Sequence, residues 1–210
     1  MSPCPTPAMQ TVDTLEALRA LYPAAQERAR RKEIPALDRH CREFIALSPF
    51  VVLATGDAQR GLDASPRGGA PGFVQVTDDG ALLLPDAPGN NRLDSLENIV
   101  ACDAVGLLFL IPGFDETLRV NGRAVLSTDP ADIARCTDAR RAPRLVIRVA
   151  VTSAYLHCAK AFMRSKLWSA TAQVPRETLP TIGQMIADQS GLQFAPETRE
   201  DMERRYAADL

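Results

Sequence analysis

The segment FVQVTDDGALLLP, residues 73–85, decides the fold class of this chain. Its first five residues are rich in aromatic and β-branched side chains, and its last five are apolar up to a proline. The DDG between them contains an Asp-Gly pair, which tolerates the positive φ that tight hairpin turns require. The segment therefore predicts two antiparallel strands joined by a short turn.

Four further segments have the pattern of β-strands. Residues 49–56 (PFVVLATG) and 104–111 (AVGLLFLI) are short apolar runs, which are typical of buried strands. In residues 116–128 and 144–157, apolar and polar side chains alternate instead, so that each strand has one polar face. Gly122 lies inside the first alternating segment and predicts a bend or a bulge there. About six antiparallel strands at short spacing favour a small barrel over a sheet of β-α-β units.

The remaining segments have helical patterns. Asp13 or Thr14 can cap the first helix, after which Leu15, Leu18 and Leu21 fall on one face. The segments with helical patterns are 11–47, 92–101, 131–136, 176–190 and 197–207.

These patterns predict a mainly β protein with flanking helices, an antiparallel barrel, in three parts. Residues 1–48 form a tail and helices that pack on the barrel, residues 49–168 form the barrel, and residues 169–210 form a helical extension.

Composition excludes several classes of function. The 210 residues are 46% hydrophobic and 24% charged, which is typical of a globular protein with a full core. The net charge of -2 argues against broad attraction to nucleic acid or acidic membranes. The five cysteines are scattered without CxxC spacing, which favours reduced thiols over a disulfide framework. With neither a secretory signal pattern nor a membrane-spanning apolar run, we expect a soluble cytoplasmic protein.

Several common site motifs are absent from the sequence. It contains no GxGxxG, no GxxxxGK[ST], no GxSxG and no HExxH. The only histidines are His40 and His157, too few and too far apart in sequence to predict a metal site.

Two polar clusters could bind an anion. In DASPRGG (63–69), Arg67 stands beside two glycines that let backbone approach a ligand closely, although a strand ending in a surface turn explains the same residues. In GNNRLDSLENI (89–99), Asn90 or Asn91 can cap a helix whose first N–H groups and Arg92 would bind phosphate. The alternative is a capped helix start with a solvated arginine.

A third cluster is cationic. In HCAKAFMRSKLW (157–168), the side chains of His157, Lys160, Arg164 and Trp168 recur at helical spacing. On one helix they would form a stripe able to bind an acidic substrate or to cover a planar ring. A solvated basic face with a core tryptophan is the alternative.

The order of five sequence blocks resembles the pyridoxamine 5′-phosphate oxidase-like superfamily, and within it a subgroup of FMN-dependent enzymes with unassigned substrates. The resemblance covers roughly Pro49 to Trp168. It implies an FMN-binding split β-barrel, a homodimer with two flavins at the subunit interface, and an oxidoreductase acting on a small molecule. The blocks are DASPRGGAPGFV, DDGALLLPDAPGNNRLDSLENI, VGLLFLIPG, ETLRVNGRA and HCAKAFMRSKLW.

The resemblance also implies cofactor-binding residues. Arg67 matches an arginine that binds the flavin phosphate, and Asn91 with Arg92 stands where the family has an Arg-Lys pair. Leu84 and Pro85 match the stretch whose backbone lies along the flavin ring.

Four further residues complete the expected cofactor site. Ser65 and Ser95 could add hydroxyls, and Thr117 matches a position that offers an amide to the flavin ring. Arg119, on the polar face of its strand, either lies near the flavin or pairs with a carboxylate.

The resemblance leaves the substrate open. No match to the oxidase's C-terminal Trp and Arg follows Trp168, so the resemblance does not imply pyridoxamine phosphate as substrate. The cationic stripe is the candidate replacement for that recognition. The alternatives are a flavin-binding carrier or sensor without turnover, a barrel that binds deazaflavin, and a haem protein with His40 or His157 as axial ligand.

Overall fold

A computed structural model describes residues 10–138, 141–192 and 197–207. Seven strands form one antiparallel sheet in the order β2-β1-β5-β6-β7-β4-β3. The edge strands β2 and β3 do not pair with each other, so the barrel is split and not closed. This confirms the predicted antiparallel split barrel with flanking helices. The strands are β1 (Phe50–Asp57), β2 (Gly61–Gly68), β3 (Gln75–Val76), β4 (Leu82–Pro85), β5 (Ala104–Leu110), β6 (Thr117–Ser127) and β7 (Val146–His157).

The hairpin predicted at residues 73–85 is confirmed. Gln75 pairs with Leu83, and the Thr77 N–H donates to the Ala81 carbonyl at 2.9 Å. Gly80 has a φ of +83°, so the Asp-Gly sequence supplies the backbone conformation that the turn needs.

The strands predicted from their patterns did not include β2, although a strand ending in a surface turn was one interpretation of residues 63–69. This segment is polar, and Pro66 has no backbone N–H to donate to a neighbouring strand, as a strand in the middle of a sheet requires. It nevertheless pairs with β1 over its whole length, from Phe50 opposite Gly68 to Asp57 opposite Gly61. An edge position tolerates the proline because only one side of β2 is hydrogen-bonded.

The irregularity predicted at Gly122 is confirmed as a β-bulge. The register between β6 and β7 shifts between Asn121 and Gly122. A Cβ on Gly122 would lie 2.4 Å from the Ala150 carbonyl oxygen, so only glycine permits this approach of the two strands. The bulge separates the part of β6 that contains Thr117 and Arg119 from the part that contains the buried Ala124.

The core lies between the sheet and two helices, α3 (Arg39–Leu47) and α4 (Asp94–Ala101). β1 and β5 contribute fully buried side chains such as Leu53 and Phe109. From α3, Phe44 and Ile45 enter the same cluster, and α4 adds Ile99. The core therefore fixes α4 against β1, beside the polar face of β2.

The helices differ from their predicted limits. The patterned region 11–47 divides into three helices, because Pro23 and Pro35 interrupt it. Thr14 caps the first, accepting from the Ala17 N–H at 3.1 Å, yet that helix buries no side chain. The helices are α1 (Leu15–Ala20), α2 (Glu27–Arg31), α3 (Arg39–Leu47), α4 (Asp94–Ala101), α5 (Pro130–Arg135), α6 (Lys160–Ser165), α7 (Ile182–Ser190) and α8 (Arg199–Ala207).

The C-terminal extension also contains fewer helical residues than predicted. Arg176–Thr178 is a single 3₁₀ turn, and Pro180 separates it from α7. Neither α7 nor α8 buries a side chain among the described residues.

Candidate functional site

One face of β2 carries three polar side chains toward α4 and the loop before it. Asp63, Ser65 and Arg67 are half-buried, while the residues between them are exposed. This alternation follows from the two-residue period of a strand. The sequence placed Ser65 and Arg67 in the site, and the structure adds Asp63 to the same face.

Asp63 accepts hydrogen bonds from the hydroxyls of two predicted site residues. Ser95 Oγ, in the first turn of α4, donates to Asp63 Oδ2 at 2.5 Å. Ser65 Oγ donates to the same carboxylate at 3.0 Å. The structure therefore brings Ser65 and Ser95 together, but both hydroxyls are already bonded to a carboxylate.

A buried amide lies behind this carboxylate. Asn98 is 3% exposed, and its Nδ2 donates to Thr55 Oγ1 at 3.2 Å. Its Oδ1 is buried without a hydrogen-bond partner among the described residues. A buried acceptor without a partner costs free energy, and this one lies beside the candidate site.

Arg67 has an incomplete set of partners. Its Nη1 lies 3.7 Å from Asp86 Oδ1, beyond hydrogen-bond distance, and the two side chains are 21% and 20% exposed. Arg67 Nε is buried and has no acceptor among the described residues. Burial raises the pKa of Asp86, and the nearby Arg67 and Arg144 oppose that rise. The guanidinium therefore retains donors for an additional anion.

The loop from Asp86 to Leu93 leads into α4 through an unusual backbone. Asn91 and Leu93 have φ values of 59° and 61°, in the left-handed region that costs about 1–3 kcal/mol for such residues. Arg92, between them, is 72% exposed, and its Nε donates to Asp94 at 2.9 Å. The strained backbone holds Arg92 at the start of the helix.

The predicted capping of α4 is wrong. Leu93 occupies the N-cap and makes no side-chain hydrogen bond to the first turn. Asn90 Oδ1 instead accepts from the Arg92 N–H at 3.1 Å, which is a local turn within the loop. Because no side chain caps α4, its first N–H groups remain available at the positive end of the helix dipole.

These elements enclose a cleft of about 250 Å³. Arg60 and Arg92 both line it, with Arg60 paired to Glu97. The cleft also contains carboxylates, so its charge is balanced and not strongly positive. The lining residues are Arg60, Leu62, Asp63, Arg92, Asp94 and Asn98.

The residues expected beside the flavin ring do not meet within one chain. Pro85 pairs with Val146 at the start of β7, whereas Thr117 pairs with His157 at its end. Leu84 is buried, and only Pro85 is partly exposed, directly before Asp86. The expected ring contacts are therefore divided between opposite ends of β7.

The predicted single-helix stripe is not formed. His157 ends β7, Lys160 and Arg164 lie one turn apart on α6, and α6 ends at Ser165 before Trp168. The helix stops there because Lys166 adopts a left-handed conformation with a φ of 51°.

Trp168 instead packs beside the end of β5 and the loop that follows. Its ring stacks on Phe162 with centroids 5.6 Å apart. Its Nε1 donates to the Phe114 carbonyl at 2.7 Å. The tryptophan therefore anchors the chain after α6 to the barrel.

Three residues near the site were not found from the sequence: Asp63, Asp86 and Asn98. Asp63 stood in the quoted DASPRGG motif, but its role depends on β2 being a strand. Asp86 follows the predicted hairpin directly, and its proximity to Arg67 is a contact between distant segments. The helical spacing of Ser95 and Asn98 was a signal that both face β1 and β2.

A family model described as pyridoxamine 5′-phosphate oxidase matches residues 37–158, more than half of the chain. The chain belongs to the pyridoxamine 5′-phosphate oxidase family. This confirms the resemblance inferred from the sequence blocks, and the family binds flavins. The matched region contains the whole sheet together with α3, α4 and α5.

Three solved structures of differently described proteins are similar to this chain. Group A Streptococcus HupZ is 17% identical, with a TM-score of 0.46, over 57% of this chain and 93% of its own. General stress protein 26 from Bacillus anthracis is 15% identical, with a TM-score of 0.41, over 56% and 93%. An FAD-binding protein from Mycobacterium smegmatis is 14% identical, with a TM-score of 0.39, over 59% and 97%. No curated protein matches the chain. At these TM-scores, none of the three assigns a ligand to this pyridoxamine 5′-phosphate oxidase family member.

The described ranges contain neither a metal-site cluster nor a membrane-spanning helix. Within residues 10–138, 141–192 and 197–207, no cluster of His, Cys, Asp or Glu has the arrangement of a metal site. No helix in that part of the chain has the length and apolar character needed to cross a membrane.

Proposed function

We propose that this chain is an FMN-dependent oxidoreductase that binds the flavin phosphate between β2 and the start of α4. The observation that carries the proposal is the buried Arg67 Nε without an acceptor. A buried guanidinium donor is costly unless an anion accepts from it. FMN fits this requirement because its phosphate carries nearly two negative charges at neutral pH.

Arg92 and the uncapped start of α4 would complete the phosphate site. The ion pair between Arg92 and Asp94 is exposed, so it contributes little and can be exchanged for a phosphate. The uncapped N–H groups of the first turn would donate to the same phosphate. Asn91 would contribute an amide donor where the family has a cation.

Ser65 and Ser95 have a conditional role in this proposal. Each hydroxyl has one proton, and both protons are directed at Asp63. The serines would therefore orient Asp63 in the absence of phosphate, and would donate to phosphate only after leaving that carboxylate.

The flavin ring would lie along Leu84 and Pro85, at the open end of the barrel. Thr117 and Arg119 lie at the other end of the β6–β7 pair, so they would reach the ring bound by a second copy of the chain. We therefore include a cytoplasmic homodimer in the proposal. Bound FMN would supply the hydride chemistry, and the protein would bind the cofactor, orient it and exclude water.

Substrate recognition would fall to four residues at the same end of the sheet as Thr117. Lys160 and Arg164 are exposed cations, and neither forms an ion pair within the described ranges. Such cations suit an acidic small molecule. The four candidates are His157, Lys160, Arg164 and Trp168.

The test is the FMN affinity of Arg67→Gln and Arg92→Ala variants, measured by flavin fluorescence titration. We expect each to weaken binding by about 1.5–3 kcal/mol, the scale of one charged hydrogen bond. Arg123→Ala is the matched control for Arg92→Ala, because Arg123 is also an exposed arginine paired with an aspartate, Asp103. Unchanged FMN affinity in folded Arg67 and Arg92 variants would contradict phosphate binding between β2 and the start of α4.

A further inference from the structure

Two cations lie over the ring of one tyrosine, outside the cleft described above. Lys32 Nζ is 5.0 Å from the centroid of the Tyr155 ring, and the Arg119 guanidinium carbon is 5.9 Å from it. Both cations are exposed, and the tyrosine is half-buried. Lys32 and Tyr155 take no part in the proposed flavin site.

The fold holds each member of this group in place. Arg119 stands directly opposite Tyr155 in the β6–β7 pair. Lys32 is fixed from the other side, because Ile34 and Ala154 exchange backbone hydrogen bonds of 3.0 and 2.8 Å. Lys32 Nζ also donates to the Leu156 carbonyl at 2.9 Å. Backbone pairing therefore places both residues beside Tyr155.

Neither cation has a carboxylate partner among the residues that the structure describes. In residues 10–138, 141–192 and 197–207, Lys32 and Arg119 form no ion pair, although their neighbours do. Arg31 pairs with Glu27 at 2.6 Å, and Arg123, on the same face of β6, pairs with Asp103. His157 lies next along this face of β7, with its ring centroid 6.3 Å from that of Tyr155. The sequence therefore provides counter-ions beside this group but not within it.

We propose that Lys32, Arg119 and Tyr155 form a binding site for the phosphate or carboxylate group of a small molecule. Like charges held near one ring repel each other, and a bound oxyanion would remove that repulsion. Arg119 provides a planar fork for two oxygens, Lys32 a compact charge, and Tyr155 a hydroxyl donor. Arg119 is shared with the proposed flavin site, but Lys32 and Tyr155 are not, and the oxyanion site is tested without flavin, so its failure is distinguishable from failure of the proposed function.

The test uses the full chain as purified and follows the signals of Tyr155 and Arg119 by NMR. Inorganic phosphate and acetate are titrated separately against chloride at constant ionic strength. We expect a saturable shift of the Tyr155 and Arg119 signals. A response to phosphate alone would assign a phosphate ligand, and a response to both would assign the shared oxyanion chemistry.

Variants that each remove one positive charge distinguish a specific oxyanion site from nonspecific electrostatic attraction of anions. Arg119→Gln and Lys32→Gln should each weaken the binding about tenfold or more. Arg123→Gln and Arg31→Gln are the matched controls, since each removes one positive charge close by, and they should leave it unchanged. Equal weakening in all four variants would show nonspecific attraction and overturn the proposal. Absence of a saturable shift in the wild-type chain would overturn it without any variant.

Discussion

Gly122→Ala is the substitution with the best-defined structural cost. The added Cβ would lie 2.4 Å from the Ala150 carbonyl oxygen and 2.6 Å from Val149 Cγ1, whereas real Cβ atoms stay beyond 3.0 Å. The first neighbour is backbone of the paired strand, so β6 and β7 must separate at the bulge. Overpacking of this kind costs about 1–3 kcal/mol.

The neighbouring strand provides a matched control. Gly106→Ala places a Cβ 3.5 Å from Asn121 Oδ1 and 3.8 Å from Ala54 Cβ, which is ordinary contact. That variant should be neutral, or more stable by up to about 1 kcal/mol through the reduced freedom of its unfolded chain.

The assay is urea and thermal unfolding of both variants and the wild type at one protein concentration, because association shifts apparent stability. For a chain of this length, Gly122→Ala should lower Tm by roughly 2–12 °C. If Gly122→Ala is as stable as Gly106→Ala, that result would contradict the close approach of β6 and β7 at the bulge.

Two further predictions concern titratable groups. Burial raises the pKa of Asp86, so the folded protein retains this proton more tightly than the unfolded chain, whose pKa is about 3.9. As the pH rises from about 3.9 through the raised pKa, the free energy of unfolding of the wild type should fall relative to that of Asp86→Asn. A difference between the two proteins in urea unfolding that stays constant from pH 4 to pH 8 would contradict this. Burial raises the pKa of Cys41 and of Cys136 to about 11, whereas Cys158 is exposed. Iodoacetamide at pH 8 should therefore alkylate Cys158 faster than Cys41 and Cys136, as read by peptide mass mapping. Equally fast labelling of Cys41 or Cys136 would contradict the raised pKa of that thiol.

The sheet was largely predictable from local patterns. Asp-Gly between two apolar runs specified the hairpin, and strict alternation identified β6 and β7. β2 was missed because its polar residues and Pro66 resemble a loop. Only its pairing with β1, a contact that local sequence does not encode, makes it a strand.

The site was only partly predictable. Sequence blocks identified Arg67, Arg92 and Ser95, and the structure places all three around β2 and the start of α4. The left-handed backbone of Leu93 could not be foreseen, because a leucine seldom adopts positive φ unless tertiary structure imposes it. The Ser95 hydrogen bond to Asp63 joins distant segments, so it also required the fold.

The most direct test of the flavin-phosphate proposal is the absorption spectrum of the wild-type protein after incubation with FMN or riboflavin and desalting. The two ligands share the ring and differ in the phosphate that Arg67 and Arg92 would bind. We predict a stoichiometric oxidised-flavin spectrum with FMN and little retained riboflavin. A protein that retains no FMN, or retains riboflavin equally well, would contradict phosphate binding in the groove between β2 and α4.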